Sequence, residues 1–154
     1  MDGRIAGVVA IALLAGCGGG GSGPKSDADA VGRVLKDAAK AVADGDGDKA
    51  CSYLTPDAQR QVQLQIGAGA LGEADCPTVV RRATIILTPL ERKQIESLEP
   101  SNVQVNGAGA SATMATQTGA APGQGMSVQL NLQKAGEDWM ISGFANAAGV
   151  PGGQ

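Results

Sequence analysis

The chain opens on a run of apolar positions, Ile5 to Ala15, broken by nothing larger than glycine. It is shorter than the roughly 20 apolar residues that span a bilayer and suits the hydrophobic region of a secretory signal, about 7–15 residues. From Ser26 the pattern turns amphipathic. Ser26 is placed as a helix N-cap with Asp29 three residues on, and Val31, Val34, Leu35, Ala38, Ala41 and Val42 recur at helical spacing against Arg33, Lys36, Asp37 and Lys40. Asp44-Gly45-Asp46-Gly47 stops this helix, and a short second one carries Ala50, Cys51, Tyr53 and Leu54. Thr55-Pro56 starts a third with Val62 and Ile66 inward, and Gly67 to Gly72 breaks it. Asp75-Cys76-Pro77 opens a fourth, where Val79, Val80, Ala83, Ile86 and Leu87 fall at helical spacing; their β-branching leaves a strand as the alternative. Thr88-Pro89-Leu90-Glu91 is a capping box that begins a last helix, ending near Leu98 before Pro100.

Beyond Pro100 the period becomes two. Val103 and Val105 alternate with polar neighbours up to the hairpin signal Asn106-Gly107, and Ala108 to Thr118 returns as a strand. After a loop over Gly119 to Gly125, Met126, Val128, Leu130 and Leu132 alternate with Ser127, Gln129, Asn131 and Gln133, as in a half-buried antiparallel strand. A turn through Ala135 to Glu137 leads to Trp139 and Ile141 on one face, with Met140 and Ser142 on the other. Helices followed by a four-stranded meander predict an α+β domain in which N-terminal helices pack on a curved C-terminal antiparallel sheet. The first helix, through Val31, Leu35, Ala38 and Val42, is the expected cover for the apolar strand faces.

The end of the leader, Leu14-Ala15-Gly16-Cys17, resembles the bacterial lipobox, in which a cysteine after small residues is lipidated and becomes the mature N-terminus; Asp2 beside Arg4 departs from the usual positive start. Gly18 to Gly23 reads as a tether, and from Cys17 to Ser26 a flexible coil reaches about 15–20 Å r.m.s.. The expected organisation is a signal peptide over 1–16, a lipidated cysteine and tether over 17–25, a domain over 26–146 and a tail over 147–154. The expected location is the extracytoplasmic face of the cell membrane, held by lipid on Cys17. Export also leaves Cys51 and Cys76 as an even pair outside the reducing cytosol, which predicts a disulfide between them. Chain entropy for that loop gives a stabilisation of about 3.5 kcal/mol.

Charge and composition narrow the function classes. The net charge is −3 and no long basic run exists; the nearest to a basic patch, Arg81-Arg82 with Arg92-Lys93, reads as a solvated helix face, so nucleic acid is not an expected partner. Three aromatics in a chain that is 43% hydrophobic mean a core of Ala, Val, Leu and Ile. There is no histidine, which removes the commonest general base and metal ligand.

Several features together resemble the NTF2-like family in its small secreted lipoprotein form. They are the opening helix, the Asp-Gly-Asp turn followed by Ala50-Cys51 and Tyr53-Leu54, the Cys76-Pro77 helix, the hairpin at Val103-Gln104-Val105-Asn106-Gly107 and the closing Gly136-Glu137-Asp138-Trp139-Met140-Ile141. The resemblance implies a sheet wrapped over helices as a cone with an open pocket, a frame that serves enzymes in some members and binding or scaffolding in many.

Three motifs stand beside plainer readings. Gly67-Ala68-Gly69-Ala70-Leu71-Gly72 fits G-x-G-x-x-G, but no strand precedes it and no βαβ unit holds it, so it reads as a loop and no cofactor is expected. Asp44, Asp46 and Asp48 alternate as in a calcium loop, yet Lys49 and Thr55 stand where the glycine and the bidentate glutamate belong; a helix-ending turn is the reading, with a cation site as the alternative. Asp57, Glu73 and Asp75 fall at helix ends or in loops, where capping accounts for them. No acid lies on the inward strand faces, so no catalytic residue is assigned. Trp139, Tyr53, Met126 and Leu130 are the ligand-binding candidates, with core packing the commoner fate of a lone tryptophan. The expected function is non-catalytic binding of a small apolar ligand or a protein partner of the cell envelope. An isomerase or dehydratase in the same cone, or a structural interaction module, are the alternatives.

Overall fold

The computed structural model describes residues 26–67, 74–116 and 127–145. The leader, Cys17, the tether, residues 68–73 of the glycine loop, Met126 and the 147–154 tail lie outside them.

The architecture is α+β, helices first and then a sheet. Helix α1 (Asp27–Asp44) begins where the Ser26 side chain accepts from the Asp29 N–H and ends at Gly45, which takes a left-handed φ of 73°. Its buried stripe is Val31, Leu35, Ala38 and Ala41. Helix α2 (Gly47–Ser52) is capped by Asp46 and α3 (Pro56–Val62) by Thr55, with proline in the first turn as the sequence indicated. A π-helical turn, Gln63–Gly67, follows α3. Helix α4 (Cys76–Ile86) is capped by Asp75, and α5 (Pro89–Glu96) carries the full capping box between Thr88 and Glu91. Hydrogen bonds from Thr78 hold the Asp75 carboxyl below the usual carboxylate range, and those from Thr88 do the same for Glu91.

Strands β1 (Leu98–Asn106), β2 (Gly109–Thr116), β3 (Ser127–Ala135) and β4 (Asp138–Ala145) form one antiparallel meander in sequence order. Leu98, Ala112, Met114, Leu130, Leu132, Trp139 and Ile141 face the helices and are buried. Side chains from the two layers close one core, whose most deeply buried members are Leu35, Val31, Val79 and Cys76.

Two departures from the sequence pattern matter. Residues 76–86 form the helix that the spacing indicated, but Ile86, placed inward by that spacing, is 80% exposed. The inward stripe of α4 runs through Cys76, Val79, Val80 and Thr84, and Ile86, two residues past Thr84 in a helix of 3.6 residues per turn, falls off that stripe in the last turn. Strand β1 begins before Pro100, not after it. It is an edge strand, where a residue without an N–H is tolerated, and a bulge between Ser101 and Gln104 with Asn102 at φ 50° follows immediately.

Three long-range ties fix the layers. Cys51 and Cys76 are bonded, with Cα atoms 6.2 Å apart, which joins α2 to the start of α4. The Tyr53–Thr55 segment lies along β4: the Ile141 N–H donates to the Tyr53 carbonyl at 2.8 Å and the Thr55 N–H to the Ile141 carbonyl at 2.9 Å. At the far end of α1, Asp27 accepts from Lys134 Nζ at 3.0 Å and from Trp139 Nε1 at 3.3 Å. Those two donors, Lys134 foremost, hold the Asp27 carboxyl below its ordinary range. No helix among the described residues is long and apolar enough to cross a membrane.

Candidate functional site

A cavity of about 400 Å³ lies between the helices and the inner face of the sheet. It exists because the two layers are mismatched in size. Strands β2, β3 and β4 send in Met114, Val128, Leu130, Ile141 and Phe144, while three of the positions with which α1 and α4 oppose them are alanines, Ala38, Ala39 and Ala83. Small side chains at those positions leave space between the layers unfilled, and a close-packed interior shows such a deficit as a void. Leu35, Val42, Leu54, Val62, Val80, Leu87, Ile95 and Leu98 complete most of the wall.

The chemistry of this wall is uniform. Among the described residues Thr84 is the one wall residue with a polar side chain. That hydroxyl is already engaged, donating to the Val80 carbonyl at 2.8 Å with the Val42 carbonyl 3.1 Å away. A polar ligand would find no partner there and would lose its hydrogen bonds to water, whereas an apolar one would gain by leaving water. The volume falls within the roughly 300–1,000 Å³ that small-molecule sites occupy. Leu35, Leu54, Met114, Leu130 and Ile141 are buried and form the closed end; Val42, Ala83, Leu87, Ile95, Val128 and Phe144 are half-buried, so the cavity reaches the surface.

Of the ligand-binding candidates, Leu130 lines this cavity. Trp139 and Tyr53 are not part of its wall. Trp139 is buried further along β4, hydrogen-bonded to Asp27 with Lys134 Nζ 5.7 Å from its ring centre. Tyr53 packs at the core margin, and its backbone pairs with β4. Met126 lies outside the described residues.

Phe144 is a wall residue that β4 brings inward against strict alternation. Strict alternation puts it with Met140 and Ser142, away from Trp139 and Ile141. Leu132 pairs with Ile141 but Asn131 pairs with Gly143, which leaves Ser142 as an extra residue on β4. The bulge resets the alternation and brings Phe144 opposite Leu130, over the cavity. Gly143 was the available signal, since glycine inside a strand often marks a bulge.

The aspartates of the calcium-like spacing point to three different tasks. Asp44 pairs with Lys40 at 3.1 Å, Asp46 caps α2 by accepting from the Lys49 N–H, and Asp48 pairs with Arg81 at 2.8 Å. Among the described residues no group of three or more Cys, Asp or Glu is placed to hold a metal ion. Asp57 pairs with Arg60 and Asp75 caps α4, so neither acid reaches the cavity. On the outer face of the sheet a second hollow of about 380 Å³ is lined by amides and hydroxyls, among them Gln104, Ser111, Gln129 and Asn131, matching the polar alternation of the strands.

No protein-family model matches the chain, and no curated protein does. Among solved structures the chain is similar to an NTF2-like protein with a cystatin-like fold from Novosphingobium aromaticivorans, at 12% identity and a TM-score of 0.48, over 81% of this chain and 84% of that one.

Proposed function

We propose that this chain is a lipid-anchored extracytoplasmic domain that binds a small apolar molecule between its helices and its sheet and performs no reaction on it. The observation that carries this reading is the cavity wall, in which Thr84 alone among the described residues has a polar side chain, its hydroxyl engaged within the protein. Acid–base chemistry on a bound molecule needs a titratable group within hydrogen-bond reach of it. None of the described Asp and Glu side chains is part of the wall, which favours binding over the isomerase or dehydratase alternative.

Binding is tested by titrating the protein with N-phenylnaphthylamine, a neutral apolar fluorophore. Saturable enhancement is expected. Ala83→Phe, which adds bulk at the half-buried rim of the cavity, is expected to weaken binding about tenfold or more while thermal unfolding moves by only a few degrees, within the range of mild overpacking. A wild-type protein that leaves the fluorophore dark, or an Ala83→Phe variant that binds as well as wild type, defeats the reading.

The anchor rests on Leu14-Ala15-Gly16-Cys17 behind an apolar run. Cys17→Ala is expected to yield an unprocessed precursor or a released protein, read by intact mass and membrane fractionation. Normal processing with full membrane retention would remove the lipid anchor from the proposal.

A further inference from the structure

The sequence places Arg92 with Lys93 on a solvated helix face, yet Arg92 is half-buried while Lys93 is exposed. A long cationic side chain near the surface ordinarily keeps its head in water. The Arg92 guanidinium instead crosses from α5 to α4, where Nη2 donates to the Thr84 carbonyl at 2.7 Å. That carbonyl already accepts from the Leu87 N–H at 3.3 Å, so the end of α4 is tied off without a cation. The crossing leaves Nε buried with no hydrogen-bond partner among the described residues, a cost that folded chains seldom carry without a use for the group. Nη1 has no partner among them either, but it is not buried.

The side chain is placed by the cavity's own wall. Thr84 is a wall residue, and so is Ile95, one turn along α5 from Arg92. Ala83, Leu87 and Ile95 are the half-buried wall residues of this corner, so the guanidinium lies beside an end at which the cavity reaches the surface. No carboxylate among the described residues is within ion-pair distance of it. Glu91 is turned into its capping box, and Asp75 caps the opposite end of α4. Glu96 is exposed one turn along α5; Asp44 and, after it, Glu96 hold the Lys40 ammonium above its usual range. We propose that the cavity takes a single acyl chain whose carboxylate head pairs with Arg92; this rests on the reading of the cavity as an apolar-ligand site and adds the head group. The wall offers a polar head no partner, so the head stays at the rim. There a planar guanidinium with an open Nη1 matches a carboxylate in shape, and one charge balances one. A cavity of about 400 Å³ holds a chain of about a dozen methylene-sized groups at roughly 30 Å³ each, the share of a water in the liquid.

The experiment uses the full chain, with dodecanoate and the uncharged 1-dodecanol each displacing N-phenylnaphthylamine below the concentrations at which they aggregate. Wild type is expected to bind dodecanoate at least as tightly as dodecanol, although the carboxylate loses more on leaving water. In Arg92→Gln the ratio of dodecanoate to dodecanol affinity is expected to fall about tenfold or more, the effect of losing a charge-assisted pair, while dodecanol affinity is unchanged. That unchanged affinity also shows the variant to be folded, and a purely structural role for Arg92 would weaken both ligands alike. Wild type binding the acid more weakly than the alcohol overturns the head-group site without recourse to any variant. A ratio that Arg92→Gln leaves as it was overturns it too, and in both cases dodecanol binding leaves the cavity reading standing. A wild type that binds neither the fluorophore nor dodecanol overturns the cavity reading itself.

Discussion

Replacing Cys51 and Cys76 together by alanine should lower the stability of the oxidised domain by about 3.5 kcal/mol, and its melting temperature by roughly 10–20 °C. The bridge closes a loop with a sequence separation of 25. Within that loop lie α3 and the π-helical turn that follows it. Much of the open chain's freedom is therefore removed by the one bond. Both cysteines are at most 3% exposed, so alanine also leaves a small void, which adds to the loss. Equilibrium denaturation of wild type and double variant, with and without reductant, checks the number. Reductant should bring wild type close to the variant. Equal midpoints for oxidised wild type and the double variant would show that α2 and α4 are held together by packing alone.

What the sequence revealed about this domain followed the range over which each signal acts. The caps at Ser26, Thr55, Asp75 and Thr88 were readable because each is closed by atoms three residues away. The inward faces of β3 and early β4 were readable because alternation is a property of a single strand. Signals that depend on a partner element were not. Ser142 is surplus only relative to β3, so the inward turn of Phe144 could not be read from β4 alone. Proline at position 100 marked a boundary only as long as β1 was not known to be an edge strand. Trp139 was drawn toward a ligand role by its aromaticity, while its Nε1–H needed an acceptor that α1 supplies from 112 residues away. An open pocket was implied by the resemblance, but which residues wall it was the least legible of all. The cavity is a deficit of volume where Ala38, Ala39 and Ala83 meet Met114 and Leu130, and no residue signals it alone.

Gly47→Ala offers a test in which two rules disagree about sign. By helix propensity the substitution in the first turn of α2 should be mildly stabilising, since alanine is favoured over glycine by up to about 1 kcal/mol within a helix. Gly47 does not adopt a positive φ, so no backbone strain opposes it. Its surroundings do. A Cβ built at Gly47 would sit against the backbone carbonyl of Pro77, closer than real Cβ atoms approach, and Pro77 follows the disulfide-bonded Cys76. A carbonyl in the first turn of α4 cannot rotate aside as a flexible side chain would, so the helices must separate. The expected result is destabilisation of about 1–3 kcal/mol or more, the usual range for overpacking. The disulfide should set part of this cost, because it ties α2 to the residue next to Pro77 and prevents α2 from drifting outward. Gly47→Ala combined with the loss of both cysteines should then cost less than the two changes summed, by about 1 kcal/mol. Denaturation midpoints for the four species of that cycle decide it. Strict additivity would mean that the core, through Val79 and Ala50, holds α2 against α4 without the bond. A stabilised Gly47→Ala would mean that the close approach of α2 to α4 is not present in solution.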